Sequence, residues 1–224
     1  DTPMLGSPPV VLPGGSTLTF VPFTTTYELP EATPSLVVTH DTGESGAGRA
    51  GMRYRDLLPD RWGGRFVVSH ITIPGGGAVP DYVHFHKVRF QMIFVKSGWV
   101  RLVYEDQGDP FVMAAGDCVL QPPEIRHRVL ESSPGLEVIE VGCPALHETI
   151  ADWSLPLPNA SRDPARSWDG PARVRHRAAG ATNPPWRLAG CECRDTGIGS
   201  ATAGLAGARV LRPTAEPPVV TGHT

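Results

Sequence analysis

The chain has 224 residues, 40% of them apolar, which is enough to bury a core and excludes wholesale disorder. A formal charge of −3 gives no electrostatic basis for nucleic-acid binding, and no run of eighteen apolar residues is present to cross a membrane as a helix. The 25 glycines and 24 prolines argue against long helices and for short strands joined by tight turns.

Residues 1–35 read as an extended arm rich in Pro, Thr and Gly, with one strand expected at Ser16–Val21. The first residues (Asp1, Pro3, Pro8, Pro9) have neither the basic nor the apolar region of a signal peptide. Cys118, Cys143, Cys191 and Cys193 are irregularly spaced, so reduced cysteines and a cytoplasmic location are expected.

From residue 36 to 150 short apolar or alternating runs follow one another. They are Arg65–Ile73, Gln91–Lys96, Trp99–Glu105, Phe111–Ala114, Asp117–Gln121, His127–Glu131 and Leu136–Val141. Breaks such as Gly75-Gly76-Gly77, Ser97-Gly98, Ala115-Gly116 and Pro122-Pro123 separate them, the pattern of an all-β sandwich or barrel. A turn or two of helix is expected at Ala145–Asp152. Residues 151–187 alternate prolines with arginines and read as a stiff, soluble linker. Asp163 and Asp169 interrupt its basic run, so no nucleic-acid role is assigned.

The chemistry concentrates in two stretches. In His84-Phe85-His86, alternation on a strand points both imidazoles the same way, close enough to share one ion. Gln91 follows from the far end of that strand or the start of the next, and Gly98 sits where a tight turn is required. In the second stretch, the run Asp117–Gln121 meets a proline turn and the next strand opens with His127.

Together these stretches resemble the two motifs of the cupin superfamily. His84, His86, Gly98, Gly116, Pro122 and His127 stand at family spacing. Gln91 occupies the position where the family usually has Glu, Glu124 replaces a turn Gly, and Glu131 replaces a late Asn. The resemblance implies a jelly-roll β-barrel over residues 36–150 with one divalent transition metal held by His84, His86, His127 and Gln91. Fe, Mn, Ni, Co, Cu and Zn all suit such a site, and spacing does not choose among them. The alternative for Gln91 is a hydrogen bond beside a three-histidine centre.

Three imidazoles and an amide would leave a divalent ion at full charge. The ion would then be a stronger Lewis acid toward an anionic, chelating guest, and a carboxylate base would be missing. Arg101 and Tyr104, on the strand after Gly98, are candidates to reach that guest. Met92 and Phe94 fall on the face opposite Gln91 and are assigned to packing, while His40, His70, His147 and His176 lack spaced partners.

A faint repeat closes the chain. Asp41-Thr42-Gly43 recurs as Asp195-Thr196-Gly197, and Ile71-Thr72-Ile73-Pro74 parallels Val210-Leu211-Arg212-Pro213. Residues 188–224 therefore read as the start of an incomplete second cupin unit, with a strand at Ala206–Pro213. Its apolar residues are expected to pack on the first barrel or on a second copy of the chain, as in a homodimer, or else to lack order. The bicupin layout resembles quercetinase-type ring-cleaving dioxygenases, which implies a small enolic or phenolic substrate. A non-catalytic small-molecule-binding cupin and a metal-dependent isomerase or lyase are the alternatives; catalytic residues are not assigned.

Overall fold

A computed structural model describes residues 10–11, 13–14, 17–18, 27–168, 175–176 and 190–214. The barrel is built from β1 (Arg53–Asp56), β2 (Val67–Ile73), β3 (His84–His86), β4 (Phe90–Ser97) and β5 (Trp99–Tyr104). It continues through β6 (Phe111–Ala114), β7 (Cys118–Gln121), β8 (His127–Ser132), β9 (Leu136–Cys143) and β10 (Thr149–Ala151). The runs expected from alternation become strands within about two residues at each end, the usual spread of strand boundaries.

Two antiparallel sheets face each other. The six-stranded sheet has the order β6-β5-β8-β3-β10, with Gly77–Ala78 also paired to β8. The seven-stranded sheet runs from Arg175–His176 through β7, β4, β9, β2 and β1 to Gly46–Ala47. Side chains of alternate residues meet between them, with Ile71, Ile73, Val95, Val100, Leu102, Met113, Val119 and Val138 buried in one cluster.

One strand departs from strict alternation. On β8, Val129 lies opposite Leu102 and Glu131 opposite Arg101, so Leu130 is an extra, bulged residue. Leu130 and Glu131 therefore both turn outward. Leu130 packs with Val83, Val103 and Leu157, and the Glu131 carboxylate stands 4.0 Å from Arg101.

Three expectations are corrected or refined. Ala145–Asp152 is not helical: Thr149–Ala151 forms β10, hydrogen-bonded along β3, because the β-branched Thr149 and Ile150 meet an open sheet edge there. The arm strand expected at Ser16–Val21 is described only at Thr17–Leu18, paired with Val10–Val11; residues 16 and 19–21 lie outside the described residues. In the segment read as a linker, residues 151–168 lie against the barrel. Leu157 and Trp168 are buried, and Arg166 pairs with Glu105 at 2.8 Å and Asp106 at 2.6 Å.

The carboxy-terminal segment forms a hairpin of β11 (Cys191–Asp195) and β12 (Arg209–Pro213). Val210 is half-buried and Leu211 exposed. The residues that pack are Ile198, Ala201, Ala206 and Ala208, which cover Phe90, Met92, Phe94 and Leu120 on the outer face of the seven-stranded sheet. Asp-Thr-Gly adopts one turn in both places: Gly43 N donates to Asp41 Oδ1 at 2.9 Å and Gly197 N to Asp195 Oδ1 at 2.8 Å. The second His-x-His position, at His223, lies outside the described residues.

Candidate metal centre

The sheet register gathers the three histidines. His84 and His86 alternate on β3 and turn inward, while Phe85 faces out beneath the Arg126 guanidinium, 4.0 Å away. His127, the first residue of β8, pairs directly with His84. Ring centroids lie 5.1 Å apart for His84 and His86, 4.3 Å for His84 and His127, and 5.3 Å for His86 and His127. Their candidate ligating nitrogens all fall within 4.8 Å of one another.

Each ring is oriented from behind. His84 Nδ1 is 2.8 Å from the Tyr82 carbonyl, His127 Nδ1 is 2.9 Å from the Ile125 carbonyl, and His86 Nδ1 is 2.8 Å from Thr149 Oγ1. A carbonyl only accepts, so Nδ1 carries the proton in His84 and His127 and leaves Nε2 with a lone pair. His84 Nε2 is buried without a hydrogen-bond partner. An orphaned buried acceptor is costly, and one aimed at two further imidazoles is what a metal ligand looks like before it is satisfied. The donor set therefore fits a divalent transition ion.

Burial keeps the rings neutral. It holds the His84 imidazole down to about 4, helped by the nearby Arg49 charge. Burial also pushes His86 and His127 well down, and the neighbouring imidazoles add to the effect. Neutral rings are the metal-binding form. Arg49 is engaged elsewhere: it pairs with the fully buried Asp81 at 2.6 Å, and its nearest nitrogen lies 3.1 Å from His84 Nδ1. The turn that carries Arg49 depends on Gly48, where a side chain would begin 2.1 Å from the Tyr54 ring.

Gln91 is buried at the start of β4, and its Nε2 donates to Glu140 Oε1 at 2.5 Å. The site consequently does hold a carboxylate, supplied by β9 rather than by position 91. This corrects the expectation of a centre without one. Glu140 is half-buried and opens onto the barrel cavity, and burial raises its pKa against the opposing pull of the Gln91 hydrogen bond. Of the two candidate guest contacts, Tyr104 is buried, lines the cavity and packs at a tilt against His127, with ring centroids 5.5 Å apart. Arg101 is exposed on the outer face beside Glu131, so its assignment to the guest is corrected: parity turns it away from the cavity.

His147 was left without a role by its sequence neighbours, yet it lines the cavity. Its ring stands edge-on to His86 at 5.6 Å, and its Nδ1 is 2.9 Å from the Pro144 carbonyl. No spacing motif marks it. Glu140 did leave a signal, because it occupies the inward parity of Leu136 and Val138, where an apolar residue is expected.

The cavity has a volume of about 320 Å³. His86, His127, His147, Glu140, Gln121 and Thr149 give it polar groups, while Ile71, Ile73, Ile93, Val100, Leu102 and Val138 supply apolar wall. That volume lies at the small end of the range for organic ligand pockets.

Residues 69–141 match the family model of the cupin domain. With the barrel and the histidine centre in place, these residues form a cupin domain within the chain. Similar solved structures include the polyketide cyclase RemF from Streptomyces resistomycificus, at 23% identity over 55% of this chain and 89% of that one, with a TM-score of 0.43. KdgF from Halomonas sp. shares 17% over 47% of this chain and 92% of that one, with a TM-score of 0.39. A deletion mutant of Bacillus subtilis oxalate decarboxylase OxdC shares 14% over 87% of this chain and 65% of that one, with a TM-score of 0.46. No curated protein matches the chain. Among the described residues no helix is long and apolar enough to cross a membrane.

Proposed function

We propose that this cupin is a metal-dependent enzyme acting on a small, largely apolar enol or phenol, with dioxygenation as its reaction. The observation that carries the reading is the convergence of three neutral imidazoles, two of which, His86 and His127, line a cavity with apolar walls. His84, His86 and His127 would hold the ion, with Gln91 a candidate fourth ligand through its amide oxygen. A divalent ion there would supply Lewis acidity toward a substrate oxygen. The apolar wall would exclude water and seat the carbon skeleton, while Tyr104 packs beside His127.

Metal analysis of the purified protein, followed by a dioxygen-uptake screen over phenolic and enolic compounds, tests this reading. Uptake that requires metal and disappears in His127→Ala supports it. Glu140 favours a second reading, proton transfer without dioxygen, because it places a carboxylate on the cavity wall. Turnover of an enol under anaerobic conditions would select that reading. Tight binding without any turnover would select a binding cupin instead.

A further inference from the structure

The cavity wall beside the histidine centre carries two polar groups that the three-histidine site does not use. Glu140 follows Val138 on the inward face of β9, and both line the cavity. One oxygen of Glu140 accepts from Gln91, and the other has no hydrogen-bond partner among the described residues. Gly142 continues the same face, and a side chain there would begin 3.4 Å from the His147 ring. That contact sets His147 on the same wall as Glu140. Because His147 Nδ1 donates to the Pro144 carbonyl, its Nε2 keeps a lone pair, and it too has no partner among the described residues. The His147 ring touches His86, which brings this wall up to the candidate centre.

We propose that Glu140 and His147 form a hydroxyl-recognising pair, and that the substrate carries a second hydroxyl next to the oxygen directed at the histidine centre. The substrate class is then a vicinal diol on an unsaturated, apolar skeleton, a catechol or enediol. This inference rests on the phenol-or-enol reading above and narrows it. The single proton of that second hydroxyl, shared between the two acceptors of this mainly apolar wall, pairs both, whereas a guest without a second donor leaves them unpaired on binding. A single-hydroxyl analogue leaves them so.

The test uses the zinc-loaded chain and three probes: 2,3-dihydroxynaphthalene, 3-methoxy-2-naphthol and 2-naphthol, with affinities measured by calorimetry. The methoxy compound keeps both oxygens but loses the second donor. The diol should bind about 10- to 100-fold more tightly than the methoxy compound, the range for a hydrogen bond to a charged group. Glu140→Gln keeps an acceptor for Gln91 while presenting an amide N–H to the cavity, and His147→Phe keeps the ring but removes the lone pair. Each should shrink the preference at least fivefold, with 2-naphthol binding no more weakly than to wild type because an acceptor it leaves unpaired has been removed. A preference that persists in both variants is steric and overturns the proposal, as does a wild-type preference near one. Failure of wild type to bind any of the three overturns the phenol-or-enol reading itself, a different outcome from binding all three equally.

Discussion

Zinc binding at pH 6 should displace almost no protons from the histidines. Three solvated imidazoles with a pKa of about 6.5 would each be roughly three-quarters protonated at that pH, so loading an ion onto them would release about two protons. Here burial holds His84 at about 4 and pushes His86 and His127 well down. At pH 6 the His84 ring is then about 1% protonated, and the trio together should release fewer than about 0.3 protons. Calorimetry in two buffers of different ionisation enthalpy reads the number directly. The same shift fixes the stability of the metal-free protein. The unfolded chain binds these protons more tightly than the fold does, so the stabilisation is present above pH 6.5 and is lost as pH falls through the window down to about 4. For His84 alone the loss is about 3 kcal/mol. Release of one proton or more at pH 6, or denaturation midpoints flat between pH 6.5 and 4, would refute the argument that these rings are buried and neutral.

Arg49→Met should cost about 2–3 kcal/mol in urea denaturation, somewhat under the usual cost of stranding a buried carboxylate because the Arg49 side chain is 27% exposed; a loss below about 1 kcal/mol would mean Asp81 finds another partner. Gln91→Glu sets a second carboxylate against Glu140, so the double variant Gln91→Glu/Glu140→Gln should bind zinc at least about tenfold more tightly than Gln91→Glu alone; equal affinities would show that position 91 does not act at the metal. Ile198→Ala should destabilise the barrel by about 2 kcal/mol, measured by thermal or urea unfolding, and an unchanged midpoint would show that the carboxy-terminal segment does not dock on the sheet.

Most strands were legible because they are apolar or alternating runs of four to eight residues, separated by glycine or proline. The three histidines were legible because a strand's period of two and the spacing of the two motifs leave few other ways to place them. What escaped was contributed across the sheets rather than along the chain. Glu140 reaches Gln91 from the neighbouring strand, and His147 enters from a connection with no periodicity at all. Trp168 was hidden by composition: prolines and arginines around it resemble a linker, yet its indole lies in the main core cluster. Ala145–Asp152 misled through local propensity, which an open strand edge overrode. Arg101 and Tyr104 differ in parity, and only the register with β8 decides which of them faces inward.

The extra residue in β8 bears on how this barrel can vary. A strand normally cannot change length internally, since one added residue turns everything beyond it to the other face. At Leu130 that addition is already absorbed: His127 and Val129 stay inside on one side of the bulge, and Ser132 stays buried on the other. A relative lacking this residue could keep its imidazole and its buried serine in place. The strand that carries a metal-binding histidine thus has an internal position where length is free to drift while the inside of the barrel stays as it is.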